Sequence, residues 1–368
     1  FDGTGDIFSE DINGQLLTSL PLAQETPKAI LVSNKIFLSF KVEESPNENL
    51  YYQFLNLDLS LDGSATALSD PSTSKQGFDM VYGDDNYIYY AYSENYDISV
   101  KKISDTGSVL WIASAVESSA DDIVKAIYPS PGSGCVIIYE SQSFIGGSHI
   151  YAVEVNESGS VQSSVPLSDL SGDQYYESSS ITNNGIFVSF KDNTSGNYDI
   201  YGQHVLFTDD LNLGQSGASI ASGTGDQKSS SVAYDPNEDE ALVCYESPDG
   251  EETDIHCNDI NLSTSEVGSQ IIISENIYNQ NNPYVYWSGH SFMISWEDSR
   301  LTSSSSPEQD IFFQEIKNGG LILPSGGAPV SLFDQKQEQP IISQYSSDGS
   351  FVIIWEDYRS TGKEFCAN

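Results

Sequence analysis

Residues 280–314 read QNNPYVYWSGHSFMISWEDSRLTSSSSPEQDIFFQ. Three features follow one another here: Gln280 with a proline three positions later, an apolar run that ends at Trp296, and a strand start at Asp310-Ile311. A continuous apolar run, unlike an alternating one, is typical of a strand that is covered on both faces. The stretch therefore predicts short buried strands separated by polar turns.

The same features recur in step along the chain, with a period of roughly fifty residues that is typical of propellers and repeat arrays. Seven apolar runs end in an aromatic residue, at Phe40, Tyr92, Tyr139, Phe190, Tyr245, Trp296 and Trp355. Seven strand starts occur at Asp6, Asn49, Asp97, His149, Asp199, Asp254 and Asp310. A glutamine precedes the second strand of six repeats, at Gln24, Gln76, Gln174, Gln227, Gln280 and Gln337. The repeat near Asp121 lacks this glutamine.

Each repeat is interpreted as four short antiparallel strands, clearest in the sixth, where we place a first strand near Ser269–Ser274 and a second from Tyr284. Four strands repeated seven times predict an all-β fold, a seven-bladed β-propeller in one domain over residues 1–368. The expected blades are approximately 15–57, 58–104, 105–156, 157–206, 207–261, 262–317, and 318–368 completed by 1–14.

The two ends of the chain compete for one position in the last blade. Residues 6–10 are similar to residues 310–314, so the N-terminal strand is predicted to close the ring and to remove an exposed sheet edge. Residues 364–368 begin nine positions after Trp355 and can also be interpreted as that strand. Whichever segment is displaced becomes a spare strand that could pair with another subunit and build a fibre. A frayed tail or a linker is the alternative.

The repeated polar residues have a structural and a functional interpretation. The glutamine amides are expected to tie adjacent blades together, with ligand binding as the alternative. Asp298 with Arg300, and Asp357 with Arg359, follow the aromatic residues Trp296 and Trp355. We interpret both pairs as staples of a hairpin loop made by charge-assisted hydrogen bonds, although the same groups could bind a sugar or act as an acid and a base.

Composition excludes some partners. Acidic residues outnumber basic ones by 54 to 14, which gives a net charge of −40 that would repel nucleic acid and anionic lipid surfaces. Solubility, divalent cations, a cationic partner and growth in high salt each account for this charge. No apolar run approaches the ~20 residues that span a bilayer, so membrane insertion is not expected.

Three tripeptides fit N-glycan acceptors, at Asn156, Asn193 and Asn261, and they hint at export. The chain begins at Phe1 without a signal-peptide pattern, as a processed or trimmed chain would. Of the four cysteines, Cys244 and Cys257 fall on adjacent strands of one predicted hairpin. They are the expected disulfide pair, with two buried thiols as the alternative.

Cofactor signals are sparse. The four histidines, His149, His204, His256 and His290, share no pattern that would build a metal site or a catalytic triad. The oxygen-rich loops at 192–197 and 249–254 could hold Ca²⁺, but neither has the spacing of an EF-hand. We expect no cofactor, with Ca²⁺ as the alternative at these two loops.

The repeat resembles one found in secreted bacterial proteins, in which Gln-x-x-Pro is followed by a strand that ends Trp-x-Asp and then by Asp-Ile-Tyr-x-Gln. Residues 280–283, 296–300 and 310–314 match it best, and residues 199–203 and 355–359 repeat parts of it. The resemblance covers the whole chain and implies an extracellular propeller, secreted or at the cell surface. Such a fold does not by itself imply a function.

We therefore expect a non-enzymatic structural, adhesive or assembly module, which could be a subunit of a surface fibre. Its expected partners are copies of itself, other extracellular subunits or a glycan. The alternative is a carbohydrate-active enzyme or a glycan-binding propeller. An enzyme should show several acids in one pocket with raised pKa values, whereas a scaffold should show none. A lectin-like protein should present aromatic platforms, for which Tyr175, Tyr176 and Tyr358 are candidates.

Overall fold

The computed structural model describes residues 8–9, 15–18, 20, 22–44, 47–70, 72–73, 75–143, 145–208, 210–301, 308–331, 335–344, 351–358 and 364–367, with backbone alone at 8–9, 15–16, 344 and 364–367. Contacts divide the chain into two compact units, Phe1–Pro166 and Leu167–Asn368. A single domain over 1–368 stays a prediction.

The first compact unit contains a strand pair and three four-stranded sheets. The pair is β1 (Phe8–Ser9) with β2 (Gln15–Leu16). The first sheet is β3 (Gln24–Val32), β4 (Lys35–Glu44), β5 (Asn47–Asn56) and β6 (Leu61–Ala67); the second is β7 (Lys75–Tyr82), β8 (Ile88–Glu94), β9 (Asp97–Ile103) and β10 (Val109–Val116). The third is β11 (Asp121–Pro129), β12 (Gly134–Ser143), β13 (Gly147–Asn156) and β14 (Val165–Pro166).

The second compact unit contains four more sheets. The fourth sheet is β15 (Gln174–Ile181), β16 (Gly185–Asp192), β17 (Asp199–Leu206) and β18 (Ala218–Ala221). The fifth is β19 (Lys228–Asp235), β20 (Glu240–Asp249), β21 (Glu252–Asn261), β22 (Glu266–Val267) and β23 (Ile271–Ser274). The sixth is β24 (Gln280–Trp287), β25 (Phe292–Asp298), β26 (Asp310–Lys317), β27 (Gly320–Leu321) and β28 (Ala328–Pro329). The seventh is β29 (Gln337–Gln344), β30 (Phe351–Asp357) and β31 (Glu364–Ala367).

The described strands pair antiparallel, and the described residues contain no helix, so the all-β class predicted from the repeats is confirmed. In the six repeats that have the glutamine, the first strand of the sheet starts at this residue or next to it. The grouping of strands into sheets therefore differs from the predicted one by one strand. Residues 271–274, predicted as the first strand of the sixth repeat, pair with β21 of the fifth sheet. Periodicity locates strands but does not identify their partners, and a short turn keeps each outer strand beside the strand that precedes it.

The first strand of each of the seven numbered sheets carries a register shift that begins within its first four residues, which is the pattern of a β-bulge. In four sheets a non-glycine residue two positions after the glutamine has a positive φ: Thr26, Ser229, Asn282 and Gln339. Proline follows this residue in three of them, where the ladder is already interrupted. The Gln-x-x-Pro motif is therefore a bulge signal.

The seven aromatic residues that end the apolar runs are buried, and none is more than 4% exposed: Phe40, Tyr92, Tyr139, Phe190, Tyr245, Trp296 and Trp355. Within the second compact unit, one core cluster joins the fourth and fifth sheets, a second joins the fifth and sixth, and a third joins the sixth and seventh. Strand β25 is buried along its whole length. This confirms that the continuous apolar runs are strands covered on both faces.

The C-terminal segment occupies the third position of the last sheet. Residues 364–367 of β31 pair with 354–357 of β30, while β1 pairs with β2. The strand start at Asp6 lies outside the described residues. Closure of a ring by the N-terminal strand stays a prediction.

Candidate functional site

The repeated glutamines bind their own loops. Gln24, Gln174, Gln227, Gln280 and Gln337 are buried, and each side-chain amide donates to a carbonyl two or four residues earlier. Gln76 does not occupy the equivalent position. Lys75 does, buried to 1% exposure, with its ammonium donating to the carbonyls of Asp70 and Thr73 at 2.8 Å. The amide of these five glutamines therefore stabilises a turn inside its own sheet, so for them our prediction of a tie between adjacent blades is wrong. The Gln76 amide does make such a tie, because it donates to Asp121 of the neighbouring sheet at 2.8 Å.

Glutamate side chains form hydrogen bonds between neighbouring sheets. The Glu297 carboxylate accepts the backbone N–H of Gln339 at 2.8 Å, and the Glu246 carboxylate accepts that of Asn282 at 3.0 Å. Both accepted N–H groups belong to the positive-φ residue of a bulge in the next sheet. The glutamate that follows the aromatic residue thus satisfies a donor that the bulge removes from the ladder.

Asp298 and Arg300 form the predicted staple. Asp298 is fully buried and accepts from the Arg300 backbone N–H and Nε at 2.9 Å, from Arg300 Nη2, and from Trp296 Nε1 at 2.8 Å. The guanidinium lies 4.2 Å from the centroid of the Phe312 ring, which fits a cation–π contact. Asp357 is equally buried and accepts from Trp355 at 3.4 Å, while Arg359 lies outside the described residues.

The other predicted sites lie apart from one another. A disulfide joins Cys244 and Cys257, which face each other across β20 and β21. The acceptor asparagines Asn156, Asn193 and Asn261 are partly exposed, and the side-chain oxygen of each accepts a backbone hydrogen bond. Glycosylation stays a prediction. The candidate platforms are packed: Tyr175 contacts Tyr198 edge-on, Tyr176 bonds to Ser179, and Tyr358 lies 3.5 Å from Glu356.

The described residues hold no group of three His, Cys, Asp or Glu side chains that could bind a metal ion. In the loop 192–197, Asp192 accepts the N–H of Thr194. The loop 249–254 lines a cavity of about 440 Å³ beside His256 and Glu275, where burial and the charges of Asp249 and Glu275 raise the pKa of Asp254 to about 6. Binding of Ca²⁺ at these loops stays an open alternative.

One cavity brings together four acids. It has a volume of about 950 Å³ and lies where the turn between β19 and β20 approaches the turns of the sixth sheet. We name it the acid cavity; its ionisable lining residues are Asp235, Glu238, Glu240, Asp259, His290 and Lys317. Its apolar lining includes Leu242, Ile271, Trp287 and Phe292. The volume falls in the range of small-molecule sites.

Strand register places the acids on one face. Glu240 begins β20 and lies directly opposite Asp235 of β19, while Asp259 of β21 lies opposite Leu242. Residues two apart on a strand share a face, so Asp259 is the diagonal neighbour of Glu240, about 7 Å away between Cβ atoms. Asp235 is buried, and one of its oxygens accepts the backbone N–H of Asn237 at 2.8 Å.

Glu240 is the acid whose proton affinity changes most in this cavity. Burial, followed by the negative charges of Asp259, Asp235 and Glu238, raises its pKa to about 7. The Glu240 carboxyl group makes no hydrogen bond or ion pair with any residue that the structure describes. A carboxyl group that is half protonated near neutral pH, next to other carboxylates, has the properties of a general acid.

Aromatic rings form the opposite wall. Trp287 and Phe292 face each other across the turn between β24 and β25, with ring centroids 4.7 Å apart. The Trp287 ring is partly exposed, and His290 is exposed in the same turn. Sequence analysis missed Glu240, Asp259 and Trp287 because they belong to no repeated motif. The signal that could have found them is the hairpin register, which aligns 235, 240 and 259.

No protein-family model and no curated protein matches the chain. Among solved structures, polysaccharide lyase Uly1 matches with a TM-score of 0.54 at 8% identity, over 94% of this chain and 89% of that one. An ulvan lyase of polysaccharide lyase family PL25 matches with a TM-score of 0.51 at 8% identity, over 80% and 79%. A Dyadobacter fermentans protein of unknown function gives 0.48 at 10% identity, over 80% and 94%. At these identities the likeness to the two lyases shows a shared fold.

In the described residues, no helix has the length and apolar character that crossing a membrane requires.

Proposed function

We propose that this chain is an exported, seven-bladed β-propeller that acts on a glycan in the acid cavity, with Glu240 as the proton donor. The observation that carries the proposal is the raised pKa of Glu240, about 7, among three other acids in a cavity with an aromatic wall. The shared fold with two polysaccharide lyases supports a carbohydrate ligand but does not assign one.

Hydrolysis fits the lining better than elimination does. A lyase that acts on uronic acids must accommodate the substrate carboxylate, which is repelled by carboxylates that line a confined cavity. Here Asp235, Glu238 and Asp259 surround Glu240, and Lys317 is the cationic lining residue among those described. The proposed substrate is therefore a neutral or cationic glycan, not a uronate.

The two proton-transfer roles follow from the geometry. Glu240 donates its proton to the oxygen of the glycosidic bond that breaks, and Asp259 accepts a proton from the water that attacks the sugar carbon. Asp259 suits the second role because it is the diagonal neighbour of Glu240 and has no described side-chain hydrogen bond, whereas Asp235 is held by Asn237. Trp287 offers a flat apolar surface to a sugar ring.

The proposal is tested by incubating the intact chain with neutral polysaccharides and measuring new reducing ends. Glu240→Gln should lower kcat by about 10²–10⁴-fold and leave glycan binding in place. Activity should fall as pH rises through about 7, because Glu240 then loses its proton. The matched control is Glu251→Gln, which changes an exposed glutamate outside the cavity.

Full activity of Glu240→Gln would show that another group donates the proton. An unsaturated product in place of a simple reducing end would show elimination and overturn the hydrolytic assignment. If no glycan is either cleaved or bound, the proposal that this chain acts on a glycan is overturned.

An assembly role is the second candidate, and a specific observation favours it. Strand β10 is the outermost strand of its sheet, pairs only with β9 among the described strands, and exposes Val109, Leu110 and Ile112 by 45%, 48% and 60%. Outermost strands of the third to sixth sheets span two to four residues, whereas β10 spans eight. A long apolar edge can accept a strand from another subunit.

A further inference from the structure

A second cavity adjoins the acid cavity and differs from it in chemistry. It has a volume of about 460 Å³ and is lined by the first strands of the fourth, fifth and sixth sheets and by their turns. We name it the aromatic cavity; its aromatic lining residues are Tyr234, Tyr284, Tyr286 and Trp287. None of its lining residues is charged, whereas four acids line its neighbour.

Trp287 lies between the two cavities, since it is a lining residue of both. The chain also passes from one to the other at the turn after β19, where Asp235 lines the acid cavity and Pro236 the aromatic one. The Trp287 ring is anchored on the acid side by Phe292 at 4.7 Å. A ligand that extends beyond the acid cavity along this wall therefore meets the aromatic cavity.

Two tyrosines of the aromatic cavity are packed against the protein core, but their hydroxyl groups are available to a ligand. Tyr284 and Tyr286 are partly exposed and pack against the core cluster of the sixth and seventh sheets. Their hydroxyls make no hydrogen bond with the residues that the structure describes. The rim is tied by Asn183, whose side chain donates to the Pro236 carbonyl at 3.1 Å. Rigid rings with a free polar end bind ligands that have both an apolar face and hydroxyl groups.

We infer that the aromatic cavity is a second sugar subsite, so that the ligand is an oligosaccharide that spans Trp287 with an uncharged sugar in the aromatic cavity. This inference rests on the proposed function, because it assumes that the acid cavity holds the first sugar. The two volumes, about 950 and 460 Å³, leave room for more than one sugar ring. An apolar peptide would meet the same rings, and it is the competing outcome of the test.

The test is calorimetric titration of the intact chain with cellobiose and cellotetraose, mannobiose and mannotetraose, and xylobiose and xylotetraose. For the sugar that binds, the tetrasaccharide should bind at least about tenfold more tightly than the disaccharide, because only it reaches both cavities. Tyr286→Ala should remove most of that difference and leave disaccharide affinity unchanged, and Tyr286→Phe should retain the ring contribution. Tyr198→Ala, a partly exposed tyrosine outside both cavities, is the matched control. Thermal melts verify that each variant is folded.

The outcomes separate the two proposals. Equal affinity for both chain lengths, or equal loss of both in Tyr286→Ala, would overturn the second subsite and leave the proposed function standing. Binding of an apolar peptide in preference to every sugar, abolished by Tyr286→Ala, would overturn the subsite in favour of a peptide groove. No sugar binding at all in the intact chain would overturn the proposed function and the subsite together.

Discussion

Asp298 shows how one residue can be repeated for structural reasons alone. Its carboxylate has no exposed surface and accepts four hydrogen bonds, three of them from Arg300. Both oxygens are occupied, so neither is available for a substrate. Glu240 is the opposite case, because it belongs to no motif and lines a cavity, and its carboxyl group has no hydrogen-bond partner among the described residues. The repeated acid has a structural role, and the acid outside the repeat is the catalytic candidate.

Asp298→Asn should therefore lower stability without changing the chemistry of the acid cavity. The amide has one acceptor oxygen in place of two and leaves the Arg300 guanidinium partly unpaired, which should cost roughly 2–4 kcal/mol of unfolding free energy. Urea denaturation measures this loss, with Glu251→Gln as the control. A variant that keeps its stability yet loses glycan binding would contradict the staple.

At the scale of the strand, two turns between neighbouring strands each require a glycine. Gly107 and Gly159 close equivalent turns between the third and fourth strands of their sheets, with φ of 85° and 83°. A Cβ at Gly159 would press on the Trp111 ring, and one at Gly107 would collide with the Tyr52 hydroxyl. Glycine at these turns is required by both conformation and space.

The last sheet depends on which end of the chain supplies its third strand. Because β31 pairs with β30, deleting residues 364–368 should lower the melting temperature, by about 2–4 °C for each kcal/mol of pairing lost. Deleting residues 1–15, which we predict to close a ring, is the parallel experiment. Light scattering of both truncated chains tests whether a freed end drives assembly.

Equal melting temperatures for the intact chain and the C-terminal truncation would show that β31 does not contribute to stability or that another segment takes its place beside β30. A larger loss on N-terminal truncation would support closure by residues 6–10.

At the scale of the molecule, the net charge of −40 is the dominant feature. Like charges repel one another in a compact chain, and salt screens that repulsion over about 10 Å at 0.1 M. The melting temperature should therefore rise with NaCl concentration. Because screening depends on ionic strength, CaCl₂ at matched ionic strength should give the same rise.

Differential scanning fluorimetry in the two salts measures both effects. An additional rise at micromolar Ca²⁺, reversed by a chelator, would instead assign a calcium site to a loop such as 192–197 or 249–254.

Much of the fold follows from the sequence because its determinants are local. The spacing of Trp296 and Trp355 locates buried strands, and the positions of Cys244 and Cys257 on one hairpin predict their disulfide. The period of the repeat did not, however, predict which strands pair with each other, since residues 271–274 pair with the preceding sheet.

The candidate site was decided by tertiary structure. Glu240 is one of 54 acidic residues, and nothing in its neighbours along the chain distinguishes it. Its raised pKa depends on Asp259, nineteen positions away and brought near by strand register, and on burial in a cavity whose far wall is Trp287 of the next sheet. The repeat sequence determined which strands form and what covers them, because strand formation and burial depend on local pattern. Proton affinity depends on which charges lie nearby in space, so only the folded chain could single out Glu240.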